Sequence, residues 1–179
     1  MLKKILIGFL VVLVALAIVI AMQPNSFSIS RKGTISAPAL VVFDQVNNFR
    51  KWEAWSPWDK LDPDMKRVFS GPESGKGAVY AWDGNDKVGS GSMTLTESKS
   101  GELVQIKLEF KKPFEAINDT EFRFAQEGGN TVVTWTMSGT NNFVSKAFSL
   151  FMNMDKMIGQ DFEKGLASLK TVSEEAAKK

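Results

Sequence analysis

The hydrophobic pattern changes character three times along the chain. From Ile5 to Met22 the text is ILIGFLVVLVALAIVIAM, 18 residues with no charge and no polar face at helical period. At 1.5 Å per residue that run makes a helix of roughly 27 Å, close to the hydrocarbon thickness of a bilayer. Gln23 to Ser26 is a short polar linker. From Phe27 to Ile35 apolar and polar residues alternate, which predicts a strand; Pro38 then opens a helix over Ala39 to Asn47. Asn48 to Asp64 is rich in aromatics and proline and predicts one helical turn followed by loop.

Beyond residue 65 the alternation returns in six segments: Met65 to Ser70, Gly77 to Asp83, Val88 to Ser98, Leu103 to Lys111, Ala116 to Gln126 and Thr131 to Gly139. Short polar or glycine-bearing turns such as Gly84-Asn85-Asp86 separate them, so they predict an antiparallel meander. The last pattern is helical, from Asn142 to Val172, with Phe143, Phe151, Met154, Ile158, Phe162 and Leu166 among its apolar positions. Ser173 to Lys179 reads as a solvated, fraying end. A sheet with one apolar face needs a cover, and this helix is the element long enough to supply it. The expected fold is α+β, a curved antiparallel sheet of about seven strands around a long C-terminal helix, with residues 1–26 as anchor and linker, 27–172 as one domain and 173–179 as a polar tail.

Charge orients the apolar run. Lys3 and Lys4 precede it and the next basic residue is Arg31, so the positive-inside bias keeps the N-terminus in the cytoplasm and exports the domain. The competing reading is a cleaved signal peptide ending at Val19-Ile20-Ala21; the run exceeds the usual length of a signal core, and both readings export the remainder of the chain. The expected location is therefore the extracytoplasmic side of the cytoplasmic membrane. The exported part carries 20 basic and 20 acidic residues, which argues against a nucleic-acid partner.

Cysteine and histidine are both absent, which excludes Ser-His and Cys-His nucleophile pairs and any metal site of imidazole or thiolate. No carboxylate pair stands out on an inward strand face, and Asp155 and Asp161 read as solvent-facing or helix-pairing residues of the last helix rather than catalysts. Catalytic residues, metal and cofactor are therefore all expected to be none. Gly75, Gly77, Gly89 and Gly91 lie at or in strands rather than at a helix N-terminus, so they read as turns and bulges, not as a phosphate loop. Trp52, Trp55 and Trp58 recur every third residue and admit two roles, a plug sealing one end of the fold or a rim over a cavity mouth; a mannosylation acceptor is a weaker third.

Several segments, in this order, resemble one family. They are Ile35-Ser-Ala-Pro-x4-Phe43, Trp52-x2-Trp-Ser-Pro-Trp58, Gly75-x-Gly-x2-Tyr-x-Trp82, Gly89-Ser-Gly91, Thr131-Val-Val-Thr-Trp135 and Asp161-Phe-Glu-Lys-Gly-Leu166. Over about residues 27 to 170 the chain resembles the START-like (SRPBCC) superfamily, in particular its bacterial polyketide cyclase/dehydrase and lipid-transport-like members. The resemblance implies a helix-grip fold whose sheet and long helix enclose an apolar cavity for a lipid or other hydrophobic small molecule. On that expectation the cavity wall is drawn from Trp55, Trp58, Tyr80, Trp82, Phe110, Trp135, Phe151, Met154 and Ile158. Fold does not fix function, so two alternatives stand beside a membrane-tethered binding module. One is an envelope interaction or stress protein with a collapsed cavity. The other is a cyclase or hydrolase acting on an apolar substrate.

Overall fold

The computed structural model describes residues 2–178. Helix α1 (Leu2–Ala21) is long and apolar enough to cross a membrane, and almost all of it stands clear of the rest of the protein. Strand β1 (Ser26–Ile35) comes next, then α2 (Ala39–Asn47) and a 3-10 segment, Phe49–Ala54. The meander comprises β2 (Lys66–Ser70), β3 (Val79–Asp83), β4 (Ser90–Lys99), β5 (Leu103–Lys112), β6 (Ala116–Glu127) and β7 (Asn130–Thr140). All seven strands form one antiparallel sheet in the order β1-β7-β6-β5-β4-β3-β2.

Strands β1, β2, β6 and β7 alternate as the sequence predicts. β7 buries Thr131, Val133, Trp135 and Met137 on one face, and β6 buries Asn118, Thr120, Phe122 and Phe124. That face is the concave one, and α4 (Met154–Ala176) lies across it against β1, β7 and α2. Burying each large apolar side chain here contributes about 1.5–3 kcal/mol. This is the helix-grip arrangement.

Two expectations about the C-terminus are corrected. The single helix from Asn142 to Val172 is two helices: α3 (Phe143–Phe151) ends at Met152, whose backbone is extended, and Asn153 then caps α4 by accepting from Lys156 N–H. An asparagine side chain in a non-helical residue is the usual way to begin a new helix, and periodicity alone does not reveal that restart. The chain beyond Val172 does not fray at once, since α4 continues to Ala176 with Ser173 fully buried.

Candidate functional site

The three spaced tryptophans resolve into packing. The indole N–H of Trp52 donates to Val46 O (2.9 Å) and that of Trp55 to Gln45 O (3.1 Å). Both acceptors belong to the last turn of α2, whose carbonyls have no partner within the helix. The three-residue spacing thus lets two indoles cap one helix end while their rings enter the core. Trp52 and Trp55 lie 4.6 Å apart, and Trp55 meets Trp135 edge-on at 5.8 Å.

Trp135 is the middle of a stack, with Phe122 at 4.7 Å on one side and Phe162 of α4 at 4.1 Å on the other. Sheet and helix are in direct aromatic contact there. The center of the grip is filled, so Trp55 and Trp135, expected on a cavity wall, are core residues, and the tryptophan segment packs into the middle of the fold. Trp52 and Trp55 are buried and Trp58 is half-buried against Trp135 and Phe162, so the segment presents no exposed tryptophan patch. Trp135 Nε1 is buried without a hydrogen-bond partner, as is Ser173 Oγ, among the described residues.

Space lies beside this stack. On the β2–β3 side a cleft of about 180 Å³ is lined by Phe49, Arg50, Glu53, Asp59, Arg67, Phe69 and Tyr80. Arg67 donates from Nε to Asp59 Oδ1 at 2.9 Å, with Asp59 buried, and Phe69 stacks on Tyr80 at 5.1 Å. Asp59 holds the Arg67 guanidinium firmly protonated. Burial, with the Asp59 carboxylate adding to it, pushes the Tyr80 phenol up to about 12. Tyr80 is therefore an un-ionized hydrogen-bonding group at neutral pH. The cleft is smaller than the roughly 300–1,000 Å³ of ordinary small-molecule pockets; Arg67 is paired with Asp59, and the Arg50 guanidinium lies 4.7 Å from the center of the Phe69 ring.

Beyond Tyr80 the concave face is more open. β register sets Trp82 of β3 opposite Gly91 of β4, and Gly91 opposite Phe110 of β5. Trp82 and Phe110 meet edge-on at 5.8 Å, and the Trp82 ring occupies the space that a side chain on Gly91 would need. The next row runs Tyr80, Met93, Leu108, Asn118, Gly139 and Phe27 across six strands. Trp82, Leu108 and Phe110 face the concave side, yet each is only half-buried, so solvent reaches the sheet face here. Met154 and Ile158 in the first turns of α4 are half-buried as well.

Polar groups enter this apolar wall from one strand. Leaving the packed center, the inward row of β6 passes from Phe124 and Phe122 to Thr120 and Asn118, which are 6% and 8% exposed. Gly139 opposite lacks the side chain that would collide with Asn118 Oδ1, so the amide sits over its backbone beside Phe27. A buried amide or hydroxyl in apolar surroundings is costly unless hydrogen-bonded. The wall therefore has a defined polar end at Asn118 and Thr120. Sequence reasoning missed Asn118 and Thr120, although their even spacing from Phe122 and Phe124 was the available signal.

Of the expected wall residues, Trp82, Phe110, Met154 and Ile158 are half-buried, and Trp58 is half-buried edge-on against Trp135 and Phe162. Trp55 and Trp135 are in the stack, and Tyr80 joins the wall to the cleft. Phe151 departs from the expectation altogether: it is 79% exposed on α3, because the helix break turns its face away from the sheet.

Comparison with known proteins agrees with this architecture. No curated protein matches the chain. Among solved structures, protein CV1439 from Chromobacterium violaceum superposes with a TM-score of 0.59 at 13% identity, covering 85% of this chain and 99% of that one. Ara h 8.0201 gives 0.57 at 9% identity, with 83% and 98% covered. The di-domain ARO/CYC BexL from the BE-7585A biosynthetic pathway gives 0.59 at 16% identity, with 87% of this chain and 52% of that one covered. These likenesses are of fold. The family model described as polyketide cyclase / dehydrase and lipid transport matches residues 26–174, nearly the whole chain beyond α1, and the chain belongs to that family.

Proposed function

We propose that this protein is a binding module for a hydrophobic small molecule or lipid, tethered by α1 to the cytoplasmic membrane with residues 27–172 as its domain on the extracytoplasmic side. The guest lies against Trp82, Leu108 and Phe110 of the sheet and Met154 and Ile158 of α4, with its polar end at Asn118 and Thr120. Trp58 borders the inner limit, where the aromatic stack stops a long guest from running through. The observation that carries the reading is the change of β6 from phenylalanine to Thr120 and Asn118 where the concave face becomes open to solvent. A closed core would favor continued apolar residues there.

The tether rests on α1, whose residues after Lys4 are apolar and, apart from Ile20, lie exposed outside the domain. Lys3 and Lys4 at its start support the inside position of the N-terminus.

The test is native mass spectrometry of the full chain, released from its own membrane in mild detergent. The expected result is a one-to-one adduct with an apolar molecule, reduced by Phe110→Glu, which places a charge on the wall. An adduct-free chain, or one whose adduct is unchanged by Phe110→Glu, would remove this reading. The same spectrum gives the mass of the N-terminus and so separates a retained anchor from a cleaved signal.

A further inference from the structure

Helix α3 is turned inside out. At about 100° per residue, Phe143, Val144, Phe148 and Phe151 share one half of the helix surface, continued by Met152 just past its end, and Ser145, Lys146 and Ser149 share the other. In a water-facing domain the apolar half would be buried. Here those five apolar side chains are all exposed, between 42% and 79%, while Lys146, the one charged residue of the helix, is 8% exposed. A further aromatic joins the exposed side: Phe114, 61% exposed on the β5–β6 turn, lies 6.1 Å from Phe148.

The contacts of Lys146 identify the cover for this face. Its Nζ donates to Asn25 Oδ1 at 2.6 Å and to Ala21 O at 3.3 Å. Ala21 is the last residue of α1, and its carbonyl is among those that no later turn of that helix satisfies. A cation at a helix C-terminus also meets the negative end of the helix dipole. Lys146 thus fixes α3 at the level where the apolar helix ends, and Ile20 of α1 is buried in the same contact. Any bilayer that surrounds α1 has its surface at α3. Lys111 and Lys112, exposed just before Phe114, add positive charge at the same turn, in the combination of basic and aromatic groups that suits an anionic headgroup layer.

We infer that the outer face of α3, with Phe114, docks into the headgroup region of the bilayer that α1 spans. The inference rests on the anchor reading but not on the identity, or even the presence, of a guest. Its consequence for the binding module is position. Phe114 lies just beyond Phe110, on the turn that leaves β5, so docking brings the open end of the grip to the lipid surface.

The chain has no cysteine, so single cysteines can be spin-labelled without removing others. The full chain carrying Val144→Cys, Phe151→Cys, Val12→Cys or Lys99→Cys is reconstituted in vesicles of phosphatidylethanolamine and phosphatidylglycerol. Collision with oxygen and with a water-soluble nickel chelate is then compared by electron paramagnetic resonance. The expected oxygen-to-nickel ratio at 144 and 151 is severalfold above that at 99 and below that at 12. Ratios at 144 and 151 equal to that at 99, with 12 in hydrocarbon, would overturn the docking and leave the anchor standing. Low access to both reagents at 144 and 151, with dipolar broadening that fades on dilution with unlabelled chain, would assign the face to a second copy and also overturn it. A water-like signal at 12 would remove the anchor, and the docking with it. Circular dichroism of each labelled chain confirms that the fold is retained.

Discussion

A Cβ on Gly165 of α4 would stand 2.7 Å from Cζ3 of Trp135, closer than real side chains approach. The helix comes down onto the middle ring of the aromatic stack at the one residue type that allows it. A second glycine of the same helix, Gly159, makes room in a similar way for the guanidinium of Arg31, which binds Asp155 and Glu163 across the sheet edge. The two positions look alike and have opposite consequences.

Gly165→Ala is expected to destabilize the protein by about 1–3 kcal/mol, because Trp135 is held between Phe122 and Phe162 and has nowhere to move. Gly159→Ala instead displaces the far end of a flexible arginine. Replacing a mid-helix glycine with alanine contributes about 0.5–1 kcal/mol in the other direction, so near-neutral stability is expected. Denaturant midpoints of the two variants in the same detergent decide the matter; equal losses would refute the distinction.

Arg31 holds the Asp155 carboxyl below the usual carboxylate range through its hydrogen bonds. The stabilization from a lowered carboxyl is present above its unfolded value, about 4, and is lost as pH falls through its folded value. Gly159→Ala, by moving Arg31 away, should flatten that acid limb, whereas Gly165→Ala should keep it. A carboxyl carbon titration of Asp155 by NMR that runs at the ordinary value in the parent protein would contradict this.

Tyr80 is the sole tyrosine of the chain, so absorbance at 295 nm reports it alone. Its midpoint is expected at about 12. Because the folded state disfavors phenolate, stability should fall as pH rises from about 10, where an unfolded tyrosine ionizes, toward the folded value. Tyr80→Phe should remove this alkaline loss. A midpoint near 10 in protein that retains its native far-ultraviolet spectrum would show that the phenol is not enclosed.

The buried pair in the cleft makes an asymmetric prediction. Arg67→Met strands Asp59, whose side chain is 5% exposed, and breaking such pairs typically costs about 3–5 kcal/mol. The value here should lie at the low end, since the Arg67 side chain is 18% exposed. Arg67→Met combined with Asp59→Leu should recover most of the loss, as apolar replacement of a whole pair often does. A double variant as unstable as the single one would mean that the carboxylate, once alone, is not the source of the cost.

For the open wall, Asn118→Leu with Thr120→Val should leave stability unchanged or raised while weakening capture of a polar-ended guest. One lost hydrogen bond corresponds to about 0.5–1.5 kcal/mol, roughly a 2- to 13-fold change in affinity. The ratio of guest-bound to free chain by native mass spectrometry measures it. An undiminished ratio would move the polar end of the guest elsewhere.

The sequence was most informative where one rule acted alone. The period-two alternation of β6 and β7 located both strands within a residue or two, and the motif order from Ile35 to Leu166 identified the family. Reasoning failed where two rules competed. The stripe from Phe143 to Ile158 keeps helical spacing through Asn153, so periodicity masked the cap that starts α4 and placed Phe151 on the wrong surface. The aromatic rows were legible as inward-facing but not as filled, because ring stacking between Trp135 and Phe162 depends on how closely Gly165 lets the helix approach. Asn118 and Thr120 escaped notice because a search for apolar wall residues passes over polar side chains in apolar register.

The pairing of Ser26 with Thr140 joins the strand nearest the apolar helix to the last strand made. The five successive hairpins from β2 to β7 need only local chain, but β1 has no neighbor in the sheet other than β7. During synthesis β1 must therefore stay unpaired until about a hundred further residues have emerged and β7 is complete. Closing that gap brings together the most distant strands of the fold and is the slow, entropically demanding event. The sheet is therefore completed from its two ends in sequence, and the meander is ready long before the strand that closes it finds its place.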